Sequence, residues 1–269
     1  VSNLTSRILV AAVGIPVLIG CIVNGGVLLQ TLIVILQLAV VWEWTKFAKS
    51  ANVSLSVWNL LLPLTAVDVL IFASGEPLSS VVALLIVFFW ILLNVFDKSR
   101  TPLRTLGHGV LYAVYAALPL ALWFPISEFS NTTRFSSIGA LFLLFAATWL
   151  CDSAAYFGGR ALGKHKLYVA ASPNKTIEGA LFGVLGAALL LPFARLLNFA
   201  SPDRLDYLVL PLIVGLAGQA GDLIESLMKR EVGVKDSSSL IPGHGGVLDR
   251  FDSLLLSSPF YFAYLYLTS

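Results

Sequence analysis

The sequence predicts an all-α fold, a polytopic integral membrane protein of about nine transmembrane helices. Two observations carry the fold class and a third carries the orientation. The chain of 269 residues is 58% hydrophobic and only 12% charged, about half the charge of a soluble globular domain. No single soluble core could hide that much apolar surface, so the bilayer must solvate most of it. The apolar residues also gather in runs of spanning length, and none alternates as the strands of a membrane barrel do. Finally, the basic residues fall almost wholly in every second connection.

A spanning helix takes about 20 mostly apolar residues. Candidate runs lie at 8–23, 27–42, 57–73, 79–96, 106–124, 138–157, 178–199, 205–228 and 247–267. The first two are short and share only the tight connection Asn24, Gly25 and Gly26, while the last two carry acids at their joined ends. With the N-terminus inside, the inner segments hold Arg7; Lys46 and Lys49; and Lys98, Arg100 and Arg104. They also hold Arg160, Lys164, Lys166 and Lys175, then Lys229, Arg230, Lys235 and Arg250, which makes fourteen of the seventeen Lys and Arg residues. Arg134, Arg195 and Arg204 fall on the other side. An excess of basic residues marks cytoplasmic connections. The N-terminus is therefore expected in the cytoplasm and the C-terminus on the opposite side, in the cell (inner or plasma) membrane. Trp42, Trp44, Trp58 and Trp123 suit anchoring at the interface. Cys21 and Cys151 sit in apolar runs at no disulfide or metal-ligand spacing and read as small core residues.

Two regions differ in character. Residues 1–136, with helices one to five, read as a lipid-facing scaffold whose polar groups at membrane depth are few: Asp68, Asn94 and His108. Asp68 reads either as a contact inside the bundle or as a functional group, and His108 as structural. Residues 137–269, with helices six to nine, carry acids and bases at helix ends and two long connections, 158–177 and 229–246, rich in Gly, Ser, Lys and His. Long polar connections are often functional, and this half is expected to form the catalytic region. His165, between Lys164 and Lys166, reads as a surface loop residue.

The densest feature runs from Gly221 to Asp252. On a helix Asp222, Glu225, Ser226 and Lys229 fall on one stripe, and charge at membrane depth demands a partner, a water-filled cavity or a metal. After a glycine-containing connection come Pro242, Gly243, His244, Gly245 and Gly246, then Asp249 and Asp252 one turn apart with Arg250 between them. Two joined helix ends thus bring four carboxylates to one depth. Hard divalent cations bind through carboxylates together with substrate phosphates. Glycines let backbone N–H groups approach an anion, and the N-terminus of helix nine adds positive dipole. Lys229, Arg230, Lys235 and Arg250 offer charge to phosphate oxygens. The pattern points to metal-phosphate chemistry.

The stretch Ser226-Leu-Met-Lys-Arg, then Lys235-Asp236, then Ile241-Pro-Gly-His-Gly-Gly-Val-Leu-Asp-Arg-Phe-Asp252 resembles the signature of the CDP-diacylglycerol synthases (phosphatidate cytidylyltransferases) over 27 residues. Asp152-Ser-Ala-Ala-Tyr156-Phe-Gly-Gly-Arg160 is similar to that family's Asp-x-x-Ala-Tyr-x-x-Gly-Arg stretch. Ser172-Pro-Asn-Lys-Thr resembles its Ser-Pro-Lys-Lys-Thr motif, with Asn174 where a second lysine is common. Ser172 is expected as a helix N-cap with Pro173 at the first helical position, leaving Lys175 and Thr176 in the first turn as an anion site. The resemblance implies a membrane-embedded enzyme that makes CDP-diacylglycerol and pyrophosphate from CTP and phosphatidic acid. It further implies Mg²⁺, as one ion or two, and a homodimer; no nucleic-acid partner is expected. On this reading Asp222 and Asp249 hold Mg²⁺, with Asp152, Glu225 and Asp252 as further ligands or supporting groups. Lys175, Lys229, Arg230, Lys235 and Arg250 bind the triphosphate or the lipid phosphate, assisted by Arg160, Ser172, Thr176, Gly245 and Gly246. His244 assists departure of pyrophosphate or shapes its loop. A polyprenol kinase, a cytidylyltransferase for another lipid phosphate, and a transporter whose acids mark a pathway are the alternatives.

Overall fold

The computed structural model describes residues 3–73, 77–95, 101–129, 134–135 and 139–269. Helix occupies the body of every apolar run. α1 covers Asn3–Asn24, α2 Gly26–Ser50, α3 Trp58–Phe72 and α4 Pro77–Val95. α5 covers Pro102–Glu128, α6 Ala140–Leu162, α7 Ile177–Leu196 and α8 Asp206–Glu231, and α9 covers Leu248–Thr268. Among the described residues, six of these helices (α1, α2 and α5 to α8) are long and apolar enough to cross a membrane. α3 and α4 are shorter, and α9 carries Asp249, Arg250 and Asp252 in its first two turns. Lys98 and Arg100 lie outside the described residues.

The α1–α2 connection closes as its residues suggest. Gly25 and Gly26 both take positive φ, at 60° and 51°, a conformation open to glycine without steric cost. The connection between α6 and α7 departs from the expected helix-only pattern. Lys166–Tyr168 (β1) and Ser172–Thr176 (β2) form an antiparallel hairpin that pairs Lys166 with Thr176 and Tyr168 with Ser172. Ser172 is therefore a strand residue and not an N-cap. Pro173 sits in an edge strand, where the missing N–H costs no ladder bond. The cap is Thr176, whose hydroxyl accepts from Gly179 N at 3.1 Å.

The core lies where α2, α5, α6 and α9 meet. Trp123 is fully buried against Phe145 and Phe251, with edge-on ring centroids 4.8 and 5.2 Å away, and its Nε1 donates to Ser258 Oγ at 2.9 Å. Trp44 is also fully buried. These two tryptophans are therefore packing residues rather than the interfacial anchors expected, whereas Trp42 and Trp58 are exposed. Aliphatic and aromatic side chains such as Leu84, Leu85 and Phe88 cover the outside of α4, as a lipid-facing surface requires.

Small residues set the helix spacing in the second half. A Cβ on Gly186 of α7 would lie 2.4 Å from Ala154 Cβ and 3.0 Å from Leu150 O of α6; one on Gly183 would lie 2.9 Å from Cys151 Sγ. Between α8 and α9, a Cβ on Gly221 would lie 2.5 Å from the backbone oxygen of Asp252. Close backbone approach through small side chains is the usual basis of helix association in lipid. At the far end, Arg134 ties three elements together. Its Nε donates to Asp206 Oδ2 at 2.8 Å, Nη2 pairs with Asp206 Oδ1 and donates to Tyr264 OH at 2.8 Å, and Nη1 donates to Thr268 Oγ1 at 3.0 Å.

Two outcomes follow from this packing. Arg134→Met leaves the buried Asp206 carboxylate unpaired and should destabilise by about 3 kcal/mol, read as a lowered melting temperature in detergent. Gly186→Val forces α6 and α7 apart and should cost about 1–3 kcal/mol by overpacking. A Gly186→Val protein that melts with wild type would refute the close seam.

Candidate active site

The polar motifs of the sequence converge on one cavity of about 1010 Å³. Its polar wall holds Asp152, Tyr156 and Arg160 of α6, Lys175 and Thr176 from the hairpin, Asp222 of α8, and His244, Asp249, Arg250 and Asp252 around the start of α9. Its apolar lining comes largely from α1, through Val10, Ala11, Gly14, Ile15, Val17 and Leu18, with Leu32 and Leu36 of α2. The lining acids thus all belong to residues 137–269, while the first half supplies a greasy face.

Helix crossings explain why the acids meet. Gly221 lies against the Asp252 carbonyl, which brings the stretch of α8 that carries Asp222 close to the turn of α9 that carries Asp252. The seam between α6 and α7 sets Asp152 opposite them. Asp152, Asp222 and Asp252 all line this cavity, so three carboxylates share one wall. Lys175 Nζ is ion-paired with Asp222 Oδ2, and the Ser226 hydroxyl donates to Asp222 Oδ1 at 3.3 Å. Lys175, Arg160 and Arg250 thus share the lining with four aspartates, Asp152, Asp222, Asp249 and Asp252.

Asp249 and Lys229 have a different setting. Lys229 is largely buried and bridges two acids, with Nζ 2.5 Å from Glu225 Oε2 and 2.7 Å from Asp249 Oδ1. Asp249 Oδ2 accepts from Gly246 N at 2.7 Å and from Ser237 N and Oγ, both at 2.9 Å. Asp249 Oδ1 has the Lys229 bond, which leaves one lone pair for a further partner. Glu225 is 2% exposed and does not line the cavity.

The glycine-rich loop does not present its donors to solvent as expected. Gly246 N is taken by Asp249, while Val247 N and Leu248 N donate to Glu43 of α2 at 2.7 and 2.9 Å. A Cβ on Gly245 would lie 2.6 Å from Asp249 Oδ2, and one on Gly246 would lie 2.0 Å from Ser237 Oγ and 2.4 Å from Glu43 Oε1. The anions that the glycines admit are the protein's own carboxylates. Glu43 was missed in the sequence because it belongs to no motif and lies roughly two hundred residues from its partners. Arg7 Nε also reaches this loop, donating to Gly243 O at 2.7 Å.

Of the other expected phosphate binders, Arg160 and Arg250 line the cavity, and Arg160 also donates to Tyr156 OH at 3.2 Å. Arg230 and Lys235 are exposed and outside the lining, and Ser172, half-buried at the start of β2, also lies outside it. The hairpin carrying Lys175 is clasped by Glu178, which accepts from Lys164 N at 3.0 Å and lies 2.6 Å from His165 Nδ1.

The donor chemistry suits a hard divalent cation. Among the described residues no three His, Cys, Asp or Glu side chains enclose a metal by themselves. Mg²⁺ seldom needs such a cage, because it binds through one or two carboxylates with waters and substrate phosphates. The crowded carboxylates meet that requirement, and the lysine lodged among them shows that the place accepts positive charge.

Comparison with known proteins agrees with the motifs. Residues 5–268 match the Cytidylyltransferase family. The chain is 31% identical to the phosphatidate cytidylyltransferase of Bacillus subtilis (strain 168), with 99% of each protein covered. It is 37% identical to the phosphatidate cytidylyltransferase of Brucella suis biovar 1 (strain 1330), over 96% of this chain and 91% of that protein. Against the Staphylococcus aureus (strain COL) protein of the same name, identity is 32% over 94% and 95%. With near-complete coverage in each case, the chain belongs to the phosphatidate cytidylyltransferase family.

Proposed function

We propose that this protein transfers the CMP moiety of CTP to phosphatidic acid, giving CDP-diacylglycerol and pyrophosphate. The observation that carries the reading is one cavity lined both by carboxylates and cations and by apolar side chains of α1. Such a cavity matches a substrate that is ionic at its head and hydrocarbon in its tails.

A phosphate oxygen of the lipid attacks the α-phosphorus of CTP, a new P–O bond forms, and the bond to the β-phosphate oxygen breaks to release pyrophosphate. The attacking phosphate is ionised near neutral pH, so no protein nucleophile is needed. Charge neutralisation and alignment dominate. Asp222 and Asp249 are the residues to hold Mg²⁺, with Asp152 and Asp252 completing the acidic wall; bound there, the metal would offset phosphate charge. Lys175, Arg160 and Arg250 take phosphate oxygens. His244 lines the cavity, and its buried Nδ1 has no partner among the described residues, which suits it to meet the leaving pyrophosphate. Lys229, held between Glu225 and Asp249, keeps Asp249 ionised and oriented. The lipid reaches the site sideways past α1, and CTP comes from the cytoplasm.

The same reading gives nine crossings, with the N-terminus inside and the cavity open to the cytoplasm, on the strength of the basic-residue distribution. A membrane-impermeant maleimide tests it. Lys164→Cys should react only in inverted vesicles and Arg204→Cys only from outside intact cells, and the reverse pattern would overturn the orientation.

Purified protein should release pyrophosphate only when CTP, phosphatidic acid and Mg²⁺ are all present, and chelation should stop release reversibly. Asp222→Asn should lower kcat/KM by about 10²-fold or more with the fold intact. Folded wild-type protein that releases none would sink the proposal.

A further inference from the structure

Glu43 has no place in the motifs, yet it is fully buried and turns its carboxylate onto the segment that carries Asp249. Its oxygens accept from Val247 N at 2.7 Å, Leu248 N at 2.9 Å and Ser238 Oγ at 2.7 Å. No cation pairs with it among the described residues; its charge rests on neutral donors and on the positive end of the α9 dipole. An ionised group so placed is tolerated only when its lone pairs are satisfied. It thus acts as an N-cap supplied by another helix, doing for α9 what a local Ser or Asp would otherwise do.

The contacts form a chain. Ser237, beside Glu43, gives both its N–H and its hydroxyl to Asp249 Oδ2 at 2.9 Å. Asp249 then meets Lys229 at 2.7 Å, and Lys229 meets Glu225 at 2.5 Å. The neighbour of Glu43 grips the other acid-bearing helix. Trp44 packs on Tyr115 with ring centroids 6.4 Å apart, and Tyr115 OH donates to Gly221 O at 3.2 Å, one residue before Asp222. The end of α2 therefore touches the supports of both Asp222 and Asp249.

We propose that Glu43 is a positioning residue for the transfer reaction, a buried anchor on α2 that holds the glycine-rich loop and the start of α9 so that Asp249 keeps its place in the cavity. Its kinetic consequence rests on the cytidylyltransferase reading; its structural consequence does not.

The test compares wild type with Glu43→Ala, Glu43→Gln and Ser238→Ala in detergent, by amide hydrogen exchange and by steady-state kinetics with CTP, phosphatidic acid and Mg²⁺. Exchange across 237–250 should quicken by about tenfold or more in Glu43→Ala, while α6 and α7 exchange as in wild type. kcat should fall by about 10- to 100-fold, as for loss of a group that orients a metal ligand, with little change in KM for CTP. Glu43→Gln keeps one acceptor oxygen and should lie between. Ser238→Ala removes a single donor and should show the same local signature at smaller amplitude, which decides the matter if Glu43→Ala fails to fold. Unchanged exchange across 237–250, exchange that rises equally throughout, or a full kcat despite a loosened loop would each overturn the proposal. If wild type releases no pyrophosphate, the functional reading falls while the exchange result still judges the anchor.

Discussion

The site depends on one ammonium group. Lys229 lies between Glu225 and Asp249 where little water reaches, and without it two carboxylates would stand uncompensated at the edge of the apolar core. Loss of one partner from such a pair leaves a desolvated charge, which is far more costly than the pair itself is worth. The group also sorts the acids. Glu225 is held in the core on one side of Lys229, while Asp249 on the other side still reaches the cavity wall that Asp152, Asp222 and Asp252 also line. A row of similar residues in sequence thus becomes two populations with different duties.

Much of this was legible in the residues. Apolar runs located the helices because lipid forces every backbone group to be satisfied within its own segment, and spacing alone put Asp222 and Asp249 at adjoining helix ends. The hairpin was not legible. Ser172-Pro173 has the composition of a helix start, but pairing with Lys166–Tyr168 satisfies that backbone first and moves the cap to Thr176. Trp44 and Trp123 were misplaced for a related reason: indole is equally at home at an interface or in a core with a hydrogen-bond partner, and Trp123 finds one in Ser258. Glu43 was out of reach altogether, since nothing local distinguishes a solvated helix-end acid from one that another helix end will enclose.

Glycines contribute in two distinct ways. Gly183, Gly186 and Gly221 remove side chains from helix crossings so that backbones meet and the acids they precede or oppose come into register. Gly245 and Gly246 instead remove side chains from the space beside Asp249 and Glu43. The first kind acts on the distance between rods, the second on the room around a charge.

The second kind has a consequence for timing. A phosphate-binding loop with free amides is shaped by its ligand, and the ordering of the loop is deducted from binding affinity. Here the amides of Gly246, Val247 and Leu248 are committed to side chains of the same molecule. The loop is preorganised. Its conformational entropy is surrendered once, during folding, so that substrate binding energy is left for the transition state and not for assembling the site.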